Sequence, residues 1–245
     1  MTDFYAVLWG DLQLLKRRLW RVLGTSLLSP ALYLVAFGWG LGRGMRMDGT
    51  DYLHFVVPGI VALTAMNASF NGAGQKLNAG RLFYKTFDEY LMAPVSTVSI
   101  VLGKAFFGVV RGLTSSAAIL AGALLMAPSF VPDPLFIVTL LITCFAFASL
   151  GVLAALLAKS HEDMSTFGSF ILLPMTFLGG TFFSPSSMPA AAQAVIYALP
   201  LTNSSQCLRA VVLQQEFPWL SLLAITAYGL AFFIGCILAV ERSSV

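Results

Sequence analysis

The chain has 245 residues, of which 58% are hydrophobic and 10% are Asp, Glu, Lys or Arg, where soluble domains average roughly 45–50% apolar and about 25% charged residues. With a mean hydropathy of +0.84, its 14 basic and 11 acidic side chains cannot coat a water-soluble globule, so the sequence describes an all-α integral membrane protein. A formal net charge of +3 is too small to imply nucleic acid, and Cys144, Cys207 and Cys236 are too far apart for a zinc site or a disulfide framework.

Residues 4–20 come first. Phe4, Leu8, Leu12, Leu15 and Leu19 recur at helical spacing, while Asp11, Lys16, Arg17 and Arg18 lie elsewhere on the wheel. This describes an N-terminal amphipathic helix lying in the inner membrane interface. A plain anchor and a connecting helix that moves with the first span both fit that pattern. A helix crossing the hydrocarbon needs about 20 predominantly apolar residues, and charge-poor runs over about 22–42, 52–75, 100–127, 134–158, 164–183 and 218–240 give six spans. The first two are joined by a Gly-rich hinge at 43–51, the third and fourth by a turn at 128–133. Gly38, Gly40, Gly42 and Gly44, and then Gly108 and Gly112, carry G-x-x-x-G spacings that allow close helix approach.

Between spans two and three, the 81–93 stretch reads as a short amphipathic helix. Leu82, Phe83, Tyr84, Phe87, Tyr90 and Leu91 are apolar or aromatic, Asp88 and Glu89 are charged, and Pro94 stops it. So many aromatics are costly to leave in water, which favours a docking surface over a solvated loop. A second charged strip, Lys159 to Asp163, precedes span five. Residues 184–216 hold Pro185, Pro189 and Pro200 and two helical patterns too short to span. They form a re-entrant outer hairpin, whose irregular backbone must be sheltered by protein or water.

Orientation follows from the basic residues. With the N-terminus inside, the cytoplasmic segments hold Lys16, Arg17, Arg18, Arg21, Lys76, Arg81, Lys85, Lys104, Arg111, Lys159 and Arg242, against Arg43, Arg46 and Arg209 outside. The positive-inside rule therefore places both termini in the cytoplasm.

Several chemistries are missing. No span contains an Asp or Glu, which counts against a proton-coupled carrier, although sodium coupling through carbonyls escapes that test. There is no H-E-x-x-H and no G-x-S-x-G, and Gly103-Lys104 is followed by Ala105, so no phosphate-binding loop is present. The chain reads as a non-enzyme with no metal site and no cofactor of its own. Any energy must come from another subunit.

Four segments carry a family resemblance: Phe55-Val56-Val57-Pro58-Gly59, Glu89-Tyr90-Leu91-Met92-Ala93-Pro94-Val95-Ser96, Lys159 to Ser165, and Pro174 to Pro185 followed by Pro189, Leu199-Pro200-Leu201-Thr202 and Arg209. Together they resemble the membrane subunit of ABC-2 type exporters. The resemblance implies six helices per subunit, a second copy of the permease, and two cytoplasmic ATPases that use ATP and magnesium, all in an inner (plasma) membrane. It also implies that 81–93 is the coupling helix, with Phe83, Tyr84, Phe87, Asp88, Glu89 and Tyr90 facing the ATPase. Glu162 and Asp163 would make a smaller contact, and 184–216 would be the outer gate.

For the substrate pathway, the aromatic and small polar residues Phe177, Phe182, Phe183, Asn67, Ser69 and Asn71 are candidates. Asn67 and Asn71 stand i, i+4 on one helix face, where gluing the bundle is an equal alternative. Arg111 is the one basic residue well inside a span. Either it snorkels to the inner interface or it meets an anionic head group in a water-filled vestibule, with Gly108 and Gly112 leaving room for its side chain. Two rivals to an ATP-driven exporter of an amphipathic, drug-like or lipid-linked molecule remain on sequence alone: a secondary ion-coupled carrier, and a membrane scaffold that recruits a cytoplasmic enzyme.

Overall fold

A computed structural model of the protein describes residues 2–41, 46–47, 50–126 and 133–243. The turn at 128–132, Gly42, Gly44 and the greater part of the 43–51 hinge lie outside them. Within that hinge, Arg46–Met47 and Thr50–Asp51 pair as a two-residue antiparallel ladder.

The helices follow in order: α1 (Thr2–Tyr33), continuing as a π-helix over Leu34–Leu41; α2 (Tyr52–Leu82); α3 (Thr86–Met92); α4 (Thr97–Met126); and α5 (Pro134–Leu157). Next come α6 (His161–Phe167), a π-helical turn at Gly168–Leu172, and α7 (Leu173–Leu178). A 3-10 turn at Pro185–Ser187 precedes α8 (Ala190–Ala198), α9 (Pro200–Val212) and α10 (Trp219–Ser243). The fold is that of an all-α membrane protein, and the 184–216 segment before the last span holds the short helices α8 and α9.

Among the described residues, four helices are long and apolar enough to cross a membrane: Tyr52–Leu82, Thr97–Leu124, Pro134–Leu157 and Trp219–Arg242. The other two expected spans are irregular. The first is the end of α1, where only Gly24–Phe37 forms a shorter apolar helix and Pro30 lies in the helix just before the π-helical stretch. Pro30 has no N–H to give the turn before it, and a proline inside a helix disturbs the i to i−4 ladder. The fifth is α6, the π turn and α7 in succession, with Pro174 at the start of α7.

Two helix limits differ from the sequence reading. The helix expected over 4–20 does not end there, because α1 runs on without interruption into the first expected span. The helix expected over 81–93 is shorter: residues 81–82 finish α2, Lys85 adopts a left-handed conformation (φ 51°), and only Thr86–Met92 forms α3. Ala93 is extended, as the residue before Pro94 should be.

Helix α2 is the axis of the bundle. Of its most apolar window 83% is buried, against 22% for α10, which lies at the edge. Helices α4 and α5 pack on it through small residues. A Cβ on Gly108 would meet Ala148 and Ala73 at 2.8 Å and the Ser69 carbonyl at 2.9 Å, so α2, α4 and α5 can converge only because that position is bare. Both ends of α5 are finished with polar groups. The Asp133 carboxylate accepts from the Leu135 N–H (3.3 Å) with Pro134 in the first turn, and Arg81 from α2 donates through Nη1 to the carbonyls of Ala155, Leu156 (2.9 Å) and Ala158 (3.2 Å). The arginine satisfies carbonyls that a helix end leaves without partners, at the negative end of its dipole.

Candidate functional site

A cavity of about 760 Å³ opens between α1, α2, α4 and the α6–α7 segment. It combines two of the expected pathway residues with the expected cation. Asn67 and Asn71 line it from α2, and Arg111 reaches it from α4. Counting 1.5 Å per residue from Thr97, Arg111 sits about 21 Å along its helix, near the middle of α4.

The α2 wall is a ladder of amides. Asn67 Nδ2 donates to the Leu63 carbonyl (3.1 Å), Asn71 Nδ2 to the Asn67 carbonyl (2.9 Å), and Gln75 Nε2 to Asn71 Oδ1 (3.1 Å). Each amide nitrogen carries two hydrogens, so one is spent along the helix and a second is left for the cavity. Facing them, Thr25, Ser26 and Ser29 line the cavity from α1, and Ser165, Ser169 and Thr176 from the α6–α7 segment. The sequence reading missed these hydroxyls, although Ser26 and Ser29 share a face at i, i+3 within a charge-free run.

The remaining pathway candidates lie elsewhere. Ser69 is fully buried on the opposite side of α2, where a Cβ on Gly112 would overlap its hydroxyl. Two residues along a helix is about 200° of rotation, so Ser69 cannot share a face with Asn67 and Asn71. Gly112 is therefore a packing position and makes no room for Arg111. That room comes from Gly72. Phe177 is exposed and does not line the cavity, one residue around the helix from Thr176, which does. Phe182 belongs to an aromatic cluster with Phe37 (ring centroids 4.4 Å apart) and Tyr33 (5.4 Å), and its carbonyl accepts from the Tyr52 hydroxyl (3.0 Å). Phe183 is half-buried and outside the lining.

At the expected cytoplasmic end, Asp11 is the centre of a charge cluster the sequence reading missed. Its carboxylate pairs with Lys76 of α2 (2.8 Å) and Lys104 of α4 (3.0 Å), all on helices far apart in sequence. Lys76 also lies over the Phe107 ring (4.2 Å) and Lys104 over the Tyr90 ring of α3 (4.7 Å). With Leu8 and Leu15 packed against Phe107, α1 is docked on α4 rather than free.

The coupling candidates divide into two groups. Phe83 and Tyr84 are 67% and 75% exposed, and Glu89 and Glu162 are also exposed. Phe87 is 4% exposed and belongs to the core, and Tyr90 is half-buried against Lys104. Phe87 holds α3 from beneath, and Tyr90 leaves only part of its ring outward. The Asp88 side chain lies outside the described residues. The Asp163 carboxylate closes a capping box at the start of α6. Oδ2 accepts from the N–H groups of Lys159 (2.8 Å) and Ser160 (3.1 Å), while Ser160 Oγ accepts from the Asp163 N–H (3.0 Å). Those bonds, the Lys159 N–H foremost, hold the Asp163 carboxyl below its ordinary pKa. Nearby, His161 lines the cavity, meets the Phe83 ring edge-on (5.4 Å) and lies 3.3 Å from Asn78 Nδ2.

At the other end, Arg209 of α9 is buried. Its Nε donates to the Phe55 carbonyl (3.1 Å), Nη2 donates to the Gly180 carbonyl (2.8 Å), and the guanidinium lies over the Phe55 ring (3.6 Å). Gly180 turns the chain there with φ +66°, a conformation in which glycine carries no steric cost. Arg209 thus fastens α9 to the start of α2 and to the turn after α7.

The family profile described as ABC-2 type transporter matches residues 2–213. Among curated relatives, the chain is 30% identical over 187 residues to the inner membrane transport permease YadH of Escherichia coli strain K12, covering 75% of this chain and 73% of that protein. It is 31% identical over 190 residues to nodulation protein J of Rhizobium meliloti, covering 77% and 72%, and 28% identical over 202 residues to nodulation protein J of Rhizobium leguminosarum bv. viciae, covering 82% and 78%.

Proposed function

Because the chain belongs to the ABC-2 type transporter family and so is a multi-pass membrane subunit of an ABC transporter, we propose that it is the permease half of an exporter. Its cargo is an amphipathic, drug-like or lipid-linked molecule taken from the cytoplasmic side, and ATP hydrolysis with magnesium occurs in a separate ATPase subunit. The observation that carries this reading is the polar cavity. Amides, hydroxyls and one guanidinium line a space inside a bundle whose outer surface is dominated by residues such as Leu220, Leu223 and Phe170. Hydrocarbon cannot face such a wall without large cost. A second copy of the permease, closing the open side, gives it a watery interior.

The basic-residue bias supports a cytoplasmic location for α3 and for both termini. Six crossings then require the end of α1 and the α6–α7 segment to traverse the bilayer despite their irregular helices, with α8 and α9 dipping in from outside. Two ATPase copies would seat against the exposed Phe83, Tyr84, Glu89 and Glu162, one beneath each permease.

The test is co-expression of the tagged chain with each candidate ABC ATPase subunit of the same organism. Co-purification, together with export from inverted or intact membranes that stops when the ATPase is made hydrolysis-deficient, is the expected result. Export that continues on an ion gradient without the ATPase would make the chain a secondary carrier, and co-purification without any export would make it a scaffold.

A further inference from the structure

We propose that the Arg111 side of the cavity is a binding site for an oxyanion of the phosphate class, presented as the head group of an amphiphile. As a statement about cargo this rests on the exporter reading; as a statement about binding it rests on four structural observations.

The first is an imbalance of charge. Arg111 lines the cavity and, among the described residues, no acidic residue does. The second is that the buried carboxylate of Asp11 is already committed. Lys76, Lys104 and Arg111 share this part of the bundle with Asp11, whose two carboxylate oxygens go to the two lysines. The third is that Arg111 Nε is buried with no hydrogen-bond partner among the described residues. A cation held near the middle of a bilayer-length helix is expensive. With Nε closed off beside Gly72, the guanidinium donors that remain are what an anionic ligand in the cavity meets, and its charge lowers that cost. The fourth is that the backbone makes space for this arrangement. Gly72 lets the Arg111 side chain lie against α2, where a Cβ would come 2.9 Å from Arg111 Cδ.

The planar guanidinium presents a fork of donors that matches two oxygens of one phosphate, which an ammonium does not. The free amide hydrogens of Asn67, Asn71 and Gln75 and the hydroxyls of Ser165 and Ser169 line the same space. Leu63, Leu172 and Tyr33 supply apolar lining for the body of an amphiphile. At about 760 Å³ the space falls within the roughly 300–1,000 Å³ of sites that take drug-sized molecules.

The test measures binding to the full-length chain, purified in a non-ionic detergent and followed by ligand-dependent thermal unfolding. Three probes are compared: a lysophosphatidic acid, the monoacylglycerol with the same acyl chain, and inorganic phosphate. The expected result is at least about tenfold tighter binding of the lysophosphatidic acid than of the monoacylglycerol. That preference should fall by about ten- to a hundredfold in Arg111→Gln, fall partly in Arg111→Lys, and be unchanged in Arg242→Gln, at the far end of α10. Saturable protection by inorganic phosphate alone, with the same dependence on Arg111, keeps the oxyanion site and assigns it to a free anion. Equal affinity for the two acylated probes in the native chain overturns the proposal, even if Arg111→Gln fails to fold. So does a preference that survives in Arg111→Gln. Since binding is read without the ATPase, either failure leaves ATPase co-purification and ATP-driven export standing, and the exporter reading with them.

Discussion

Gly72 and Arg111 are fitted to one another across α2 and α4. A side chain on the glycine would come 2.9 Å from Cδ and 3.1 Å from Cβ of the arginine. Cδ can swing away, but Cβ is fixed to the α4 backbone, so a larger residue must displace the guanidinium or part the helices. Gly72→Val is expected to cost about 1–3 kcal/mol as an overpacked contact. It should lower ATPase-dependent export more than it lowers the amount of permease in the membrane, measured side by side by immunoblot. Unchanged export at unchanged abundance would mean that the position of Arg111 is irrelevant to transport.

Removing the carboxylate of Asp11 strands two lysines. Asp11→Ala should destabilise the purified chain by about 3 kcal/mol, because breaking a buried ion group costs more than never having had one. The triple variant Asp11→Leu, Lys76→Met, Lys104→Met should recover most of the lost melting temperature. A single variant as stable as the parent would reduce the cluster to a surface coincidence.

The split within α3 and the turn before it predicts two different phenotypes. Glu89→Arg and Tyr84→Ala, at exposed positions, should weaken recovery of the ATPase in a pull-down while leaving the melting temperature of the permease intact. Phe87→Ala, in the core, should lower stability by about 3–5 kcal/mol and affect the pull-down only through loss of protein. Equal pull-down yields in Glu89→Arg and the parent would remove Glu89 from the contact.

Arg209→Lys keeps the charge and loses the fork that spans two carbonyls and the stack on Phe55. The α8–α9 hairpin should then open more readily. Cysteines placed at exposed positions such as Ala194 should be labelled at about the same rate, whereas one at the buried Ser205 should react faster than in the parent. No change at Ser205 would show that the guanidinium is not what holds the hairpin closed.

The start of α6 carries a pH dependence with a definite sign. Asp163 has a carboxyl held below its ordinary range by the N–H groups of Lys159 and Ser160. Its contribution to local stability is therefore complete above the unfolded pKa of about 4 and is lost as pH falls through the lower folded value. Limited proteolysis at 159–164 should stay slow down to about pH 4 and accelerate below it. In Asp163→Asn it should be fast at neutral pH as well.

Much of this arrangement is readable from helical periodicity. Asn67 and Asn71, one turn apart, do share the cavity wall, and the same arithmetic that joins them sends Ser69 into the α4 contact. Phe87 and Tyr90 stand three apart, and their spacing describes an inner face of α3. Counting aromatics without placing them on the wheel is what made both look outward-facing. The end of α2 was not legible, because Leu82 continues its apolar pattern and only the left-handed Lys85 breaks it. Relationships between distant segments left no local trace. Nothing near Asp11 in the sequence points to Lys76 or Lys104, and nothing near Arg209 points to the carbonyls of Phe55 and Gly180, since a backbone acceptor has no signature in residue type.

Helix α2 is an unbroken rod of 31 residues, about 46 Å long at 1.5 Å per residue. Phe55 near one end is held by Arg209, Asn67 and Asn71 at mid-length face the cavity, and Lys76 and Arg81 near the other end grip α1 and the tip of α5. A rod fastened at several heights acts as a lever. A tilt of a few degrees applied at the Arg81 end moves the Phe55 end the opposite way about whatever point serves as fulcrum, and the closely packed glycine contact with α4 near Ser69 lies close to its centre. Motion delivered from one side of the bundle can thus be felt on the other through rigid geometry alone, without a relay of side-chain rearrangements along the way.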